Sequence, residues 1–215
     1  MHIVAIDGPA GSGKSSVSKA SALRLGFGYL DTGAAYRALT LSFLEKKIDV
    51  TNLNSQEIAE QFDYAISLDP SNFWVRAFGF DVTEAIREPR VAQAVSLTAG
   101  NTEVRAYMKE LTRTLVSQSQ LPGVVVEGRD ITTVVFPDAQ TRILLTASEE
   151  VRLSRRSAEL PAGVSLTEMV TKRDQTDSKV VDFMTPSEGV SLLDSTELTF
   201  EQTVDAVIHL VRELR

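Results

Sequence analysis

The apolar and polar positions divide the chain into short continuous apolar runs separated by longer amphipathic stretches. Ile3-Val4-Ala5-Ile6, Val124-Val125-Val126, Ile143-Leu144-Leu145 and Val190-Ser191-Leu192-Leu193 have the texture of buried parallel strands. Helical segments lie between them. The first runs from about Ser15 to Leu25, stopped by Gly26, and the second from Ala34 to about Lys47 with Leu39, Phe43 and Leu44 as its apolar stripe. A short capped helix is expected between Thr51 and Glu60, and two helices from Thr83 to about Ser119, broken near Gly100-Asn101. The last helix is capped by Thr199 with Gln202 three residues on, and places Val204, Val207, Ile208, Val211 and Leu214 on one face. Such alternation predicts a parallel sheet flanked by helices. The stretch from Phe62 to Phe80 differs: apolar residues alternate and are broken by Pro70-Ser71-Asn72 and Gly79, which predicts a small inserted antiparallel hairpin or meander.

Directly after the first apolar run stands Gly8-Pro9-Ala10-Gly11-Ser12-Gly13-Lys14-Ser15, which fits G-x-x-x-x-G-K-[ST] in the strand–turn–helix context that pattern requires. Glycine lets the backbone close round a phosphate, and the N–H groups of the loop and the new helix face the anion. Lys14 would reach the β- and γ-phosphates of a donor, and the Ser15 hydroxyl would hold magnesium.

Composition narrows the partners. With 22 basic and 29 acidic residues the net charge is −7, which speaks against nucleic acid as a main partner. There is no cysteine, so disulfides, thiolate metal sites and a cysteine nucleophile are excluded. The chain enters strand and loop almost at once and no apolar run approaches membrane-spanning length. The expectation is a cytoplasmic monomer working away from membranes.

A phosphate loop alone does not name an activity. A GTPase would need an Asn-Lys-x-Asp run, and none is present. A small-molecule kinase needs arginines that fork onto an acceptor's own anion, and Arg37, Arg105, Arg129 and Arg173 are available. Arg129 follows a buried strand, where open α/β sheets gather their ligands. Glu127 and Asp130 are carboxylates that could orient magnesium or simply pair with arginines. Arg152, Arg155 and Arg156, at i, i+3 and i+4, read either as a helix face paired with Glu149, Glu150 or Glu159, or as a lid neutralising charge during transfer.

Taken together these stretches resemble the bacterial-type cytidylate kinase family of nucleoside monophosphate kinases. The matching runs are Ile6 to Ser15, Leu30-Asp31-Thr32-Gly33-Ala34-Ala35-Tyr36-Arg37, Asp81-Val82-Thr83 with Ile86-Arg87, Glu127-Gly128-Arg129-Asp130-Ile131 with Thr133 to Ala139, and Arg173-Asp174 with Asp177-Ser178. The resemblance implies an α/β phosphate-loop kinase that transfers the γ-phosphoryl of ATP to CMP or dCMP with Mg2+. Its core would comprise 1–30, 121–150 and 188–215; an acceptor-binding insertion would span about 31–120, with its β-lobe at about 62–82, and a short lid about 151–175. It also implies ATP contacts from Gly8, Pro9, Ala10, Gly11, Ser12, Gly13, Lys14, Ser15 and Ser16. Acceptor contacts would come from Thr32, Tyr36, Arg37, Ser96, Arg105, Arg129, Asp130, Arg173 and Asp177, and Lys14, Arg129 and Arg156 would act in catalysis. The chain departs from the family twice: Val180, behind Lys179, stands where an arginine is usual, and Thr132 stands where the family has glycine, so the loop's backbone would differ if that glycine had positive φ. The rivals are a kinase for another acceptor such as UMP or AMP, and a nucleotide-sensing switch.

Overall fold

The first apolar run forms a strand, β1, over His2–Asp7, and Lys14–Leu25 follows as helix α1. The computed structural model describes residues 1–49, 54–159 and 185–213. A short strand, β2, spans Gly28–Asp31 and was not expected: its four residues, opened by glycine between two helices, show no alternation because all four are buried. Helix α2 covers Thr32–Lys46, capped by the Asp31 carboxylate, which accepts from the Ala34 N–H at 2.9 Å. Strand β6 (Gly123–Gly128), strand β7 (Thr141–Thr146) and strand β8 (Ser191–Asp194) complete a five-stranded sheet in the order β2-β6-β1-β7-β8. β6 and β7 run parallel to β1, and β8 parallel to β7. Non-consecutive neighbours need crossover helices, which is why helical segments separate the apolar runs.

Packing divides the chain into two units, Met1–Tyr29 with Leu121–Arg215, and Leu30–Gln120. In the first, Val4, Ala5 and Ile6 of β1, Val124, Val125 and Val126 of β6, and Ile143 and Leu145 of β7 are fully buried. The last helix, α7 (Phe200–Glu213), presents Val204, Val207, Ile208 and Val211 to this core, as its spacing predicts, and packs on α1 and β7. Leu214 lies outside the described residues.

In the second unit a capping box on Asn54 opens helix α3 (Ser55–Gln61). The inserted β-lobe is a three-stranded antiparallel sheet of β3 (Tyr64–Ile66), β4 (Val75–Ala77) and β5 (Phe80–Asp81). Helix α4 spans Pro89–Gly100 and α5 Thr102–Gln118. The break between them is made by Asn101, whose side chain accepts from the N–H groups of Glu103 and Val104. Helix does not begin at Thr83 as expected. Pro89 excludes the helical conformation at Glu88, which sits at φ −58°, ψ 145°, and then itself takes the first helical position. Residues 85–87 form only a single 3-10 turn. On α2, Leu39 and Phe43 are buried but Leu44 is 39% exposed, so the stripe is narrower than its spacing suggested.

Candidate active site

The turn between β1 and α1 depends on two left-handed residues, Gly11 (φ 77°) and Gly13 (φ 85°), a conformation costly for any residue with a Cβ. Gly8 is constrained by space: a Cβ there would lie 2.2 Å from the Leu145 carbonyl oxygen at the end of β7. Several of the loop's carbonyls are held by cationic side chains. Arg129 Nη1 donates to the Gly8 carbonyl at 2.7 Å, Arg152 Nη1 to that of Ala10 at 2.9 Å, and Arg155 Nη1 to that of Ser12 at 3.2 Å. Lys14 Nζ reaches the Pro9 carbonyl at 3.4 Å. The Ser12 N–H closes the turn on the Pro9 carbonyl at 3.4 Å, while the N–H groups of Gly11 and Gly13 are not spent within it, and free loop amides of this kind are what an anion cradle uses.

These contacts involve α6 (Glu149–Glu159). Arg152, almost fully buried, and Arg155 brace the backbone of the turn from the first turns of that helix. The Arg156 side chain lies outside the described set, as do Arg173, Asp177, Lys179, Val180 and the expected lid beyond residue 159. Ser12, an expected ATP contact, is buried, and its hydroxyl has no hydrogen-bond partner among the described residues. Ser15 and Ser16 are exposed on the first turn of α1.

Asp7, the last residue of β1, is buried and accepts three hydrogen bonds: Ile131 N–H at 2.8 Å, Thr132 N–H at 2.8 Å and the Thr132 hydroxyl at 2.6 Å. Burial raises its carboxyl above the ordinary value, opposed by these bonds. Residues Ile131–Val135 form a π-helical turn whose first N–H groups Asp7 satisfies. Thr132 is not among the residues with positive φ, so its side chain imposes no backbone strain, and its hydroxyl adds a bond to Asp7 that glycine could not make. The register sets Asp7 opposite Gly128, so the phosphate turn and the Arg129-Asp130 pair leave the same end of the sheet. Glu127 is less suited to orienting a cation: it is buried, and its Oε1 accepts from the Tyr29 hydroxyl at 2.8 Å.

Thr32, Tyr36, Arg37, Ser96 and Arg105 belong to the second unit. Arg37 Nη2 is paired with Asp31 Oδ2 at 2.9 Å, both side chains largely buried, while Arg37 Nε is buried without a partner. Nearby, the Tyr64 hydroxyl is also buried and unpartnered; its ring stacks on Phe62 at 5.0 Å. Its ionisation is pushed far up, first by burial and then by the charge of Asp31. Ser96 lies on α4 and Arg105 on α5, the two helices that Asn101 joins.

Comparison with known proteins decides the lineage. A family model described as cytidylate kinase matches residues 4–213. The chain belongs to the cytidylate kinase family. It is 43% identical to a cytidylate kinase of Streptomyces avermitilis over 99% of this chain and 94% of that protein. It is 42% identical to one from Cutibacterium acnes (97% and 95% covered) and 44% to one from Desulfitobacterium hafniense (98% and 92%). A crystal structure of an uncharacterized protein from Eubacterium ventriosum shares the fold, with a TM-score of 0.53 at 12% identity over 99% of this chain and 98% of that one.

Cytidylate kinases phosphorylate CMP or dCMP with ATP, so the chain is a phosphotransferase acting on nucleotides, a reaction that typically needs a divalent metal. What the sequence of this cytidylate kinase family chain did not show is which distant partners its polar residues take. Asp7 meets Thr132 across more than a hundred residues, and Arg155 meets Ser12 likewise. The only local signal was the spacing of Arg152 and Arg155, which shows that they share a helix face but not what that face meets.

Proposed function

We propose that this chain transfers the γ-phosphoryl group of ATP to CMP or dCMP, with ATP held by residues Gly8 to Ser16 and the acceptor by Thr32, Tyr36, Arg37, Ser96, Arg105, Arg129 and Asp130, joined by Arg173 and Asp177. The observation that supports this reading most is the phosphate turn itself. Its Gly8, Ala10 and Ser12 carbonyls are held by Arg129, Arg152 and Arg155, and the Gly11 and Gly13 amides are not spent within it, which suits them to a polyphosphate. Phosphoryl transfer runs mainly on positioning and charge stabilisation, which these groups can supply without a general base. Lys14 follows the donor's β- and γ-phosphates once ATP displaces it from the Pro9 carbonyl. Arg37, with an unpartnered buried Nε beside its Asp31 pairing, is set up to grip the acceptor's phosphate. Asp130 with Ser96 and Arg105 selects cytosine, whose amino group beside two acceptors calls for a carboxylate or hydroxyl next to a guanidinium.

The segment at about 31–120 carries the acceptor, and about 151–175 serves as lid, with Arg156 completing charge neutralisation. The cofactor is Mg2+, held by the Ser15 hydroxyl. Among the described residues no group of three or more His, Cys, Asp or Glu could hold a metal by itself. An exposed serine beside the phosphate cradle suits magnesium, which arrives with the nucleotide and keeps several waters. When bound, it offsets charge on the β- and γ-phosphate oxygens. The chain acts as a cytoplasmic monomer. Among the described residues no helix is long and apolar enough to cross a membrane.

The experiment is ADP release coupled to a reporter with ATP and magnesium across CMP, dCMP, UMP and AMP. Turnover with CMP or dCMP well above UMP and AMP is expected; equal rates across the panel, or none with CMP, would refute the reading.

A further inference from the structure

A phosphate cradle built on glycine has a weakness. The residues that permit the turn also permit it to relax, because glycine occupies left- and right-handed conformations with little preference. Gly11 and Gly13 both sit at positive φ, and their N–H groups take no partner among the described residues. Something other than local propensity must therefore hold those two amides in place.

Peptide planarity supplies a means. In a trans peptide the carbonyl of one residue and the N–H of the next point in opposite directions, so fixing one aims the other. Arg155 fixes the Ser12 carbonyl at 3.2 Å, and the N–H of the same peptide is that of Gly13. Arg152 does the same for the Ala10 carbonyl, whose peptide carries the Gly11 N–H. Arg155 is itself anchored: Nη1 donates to Ser195 Oγ at 3.0 Å and Nη2 to the Ser195 carbonyl at 2.9 Å. Ser195 is fully buried, and its N–H and hydroxyl both donate to the Thr146 carbonyl at the end of β7. The sheet thus fixes Ser195, Ser195 fixes the guanidinium, and the guanidinium fixes the turn.

We propose that Arg155, with Arg152 beside it, is a positioning residue that aims the Gly13 and Gly11 amides at the donor's phosphates by holding the preceding carbonyls from the outside. It touches no reacting atom. The inference rests on the reading of Gly8 to Ser16 as the ATP cradle.

The test uses Arg155→Ala and Arg155→Lys of the full chain. Calorimetry on the resting protein gives affinities for ATP and for inorganic tripolyphosphate, a probe of the cradle without base or ribose; KM for ATP and for CMP come from turnover. Losing a charge-assisted hydrogen bond that orients an amide should weaken both polyphosphates by a similar factor, about tenfold to a hundredfold, while KM for CMP stays near the wild-type value. Lysine keeps the charge but lacks the planar fork spanning Ser12 and Ser195, so Arg155→Lys should stay close to Arg155→Ala in polyphosphate affinity. It also carries the test if the alanine variant fails to fold. Unchanged tripolyphosphate affinity, an equal loss for CMP, or full rescue by lysine would overturn the inference, the last because charge alone would then suffice. Failure of the underlying functional reading would appear in the wild-type chain instead, as absent CMP-dependent ADP release.

Discussion

Replacing Asp7 by alanine removes the acceptor of three hydrogen bonds at the root of the phosphate turn. Two of the donors are backbone N–H groups, of Ile131 and Thr132, both buried and at 2.8 Å. Each would be orphaned at a cost of about 1–3 kcal/mol, whereas the Thr132 hydroxyl can rotate away. Against this stands the relief of an unfavourably buried carboxylate, the dominant cause of its raised pKa. A net loss of about 2–4 kcal/mol follows, a fall in Tm of roughly 5–15 °C for a chain of this size. Asp7→Asn keeps one oxygen for one amide, and the Thr132 hydroxyl can reverse to accept from the new NH2, so about 1–2 kcal/mol is expected. The pH dependence has a definite sign. A carboxyl whose pKa is raised on folding contributes stability that is fully present below the ordinary value of 3.8 and is lost as pH rises through the native value. The stability of the wild type relative to Asp7→Asn should therefore decline from acid toward neutral pH. Urea unfolding of the three proteins between pH 4 and 7.5 measures all of this. An alanine variant within about 1 kcal/mol of wild type, or an asparagine variant as costly as alanine, would refute the reasoning.

Three further outcomes are expected. Lys14→Ala should lower kcat by several kcal/mol equivalent, on the order of a thousandfold, in coupled ADP release; a near-normal rate would mean the turn has been misread. Gly8→Ala places a Cβ 2.2 Å from the backbone oxygen of Leu145, so the turn must shift away from β7 and ATP binding by calorimetry should be lost, whereas retained affinity would show that the turn adapts. Tyr64→Phe deletes a buried hydroxyl with no partner, so thermal unfolding should show unchanged stability or a gain of up to about 1 kcal/mol, and a clear loss would mean the hydroxyl is bonded.

By itself the sequence determined the features whose causes are local. Glycine spacing with a preceding apolar run marks the phosphate turn, the three valines at 124–126 mark the buried strand, and Val204, Val207, Ile208 and Val211 mark the face of the last helix. The Pro70 and Gly79 punctuation marks the β-lobe, and the spaced runs mark the family. Strand β2 escaped because four wholly buried residues carry no alternation, and the start of α4 was misplaced because Pro89 acts on the residue before it. Tertiary structure alone decided which partners the polar groups take. That α6 turns Arg152 and Arg155 onto the backbone of a turn more than a hundred residues earlier follows from the sheet order, which sets β7 beside β1. That Thr132 bonds Asp7 without strain follows from the same neighbourhood of strand ends. Periodicity encodes which face of an element is apolar; it does not encode what that face meets, because the meeting is fixed by how distant strands are ordered in the sheet.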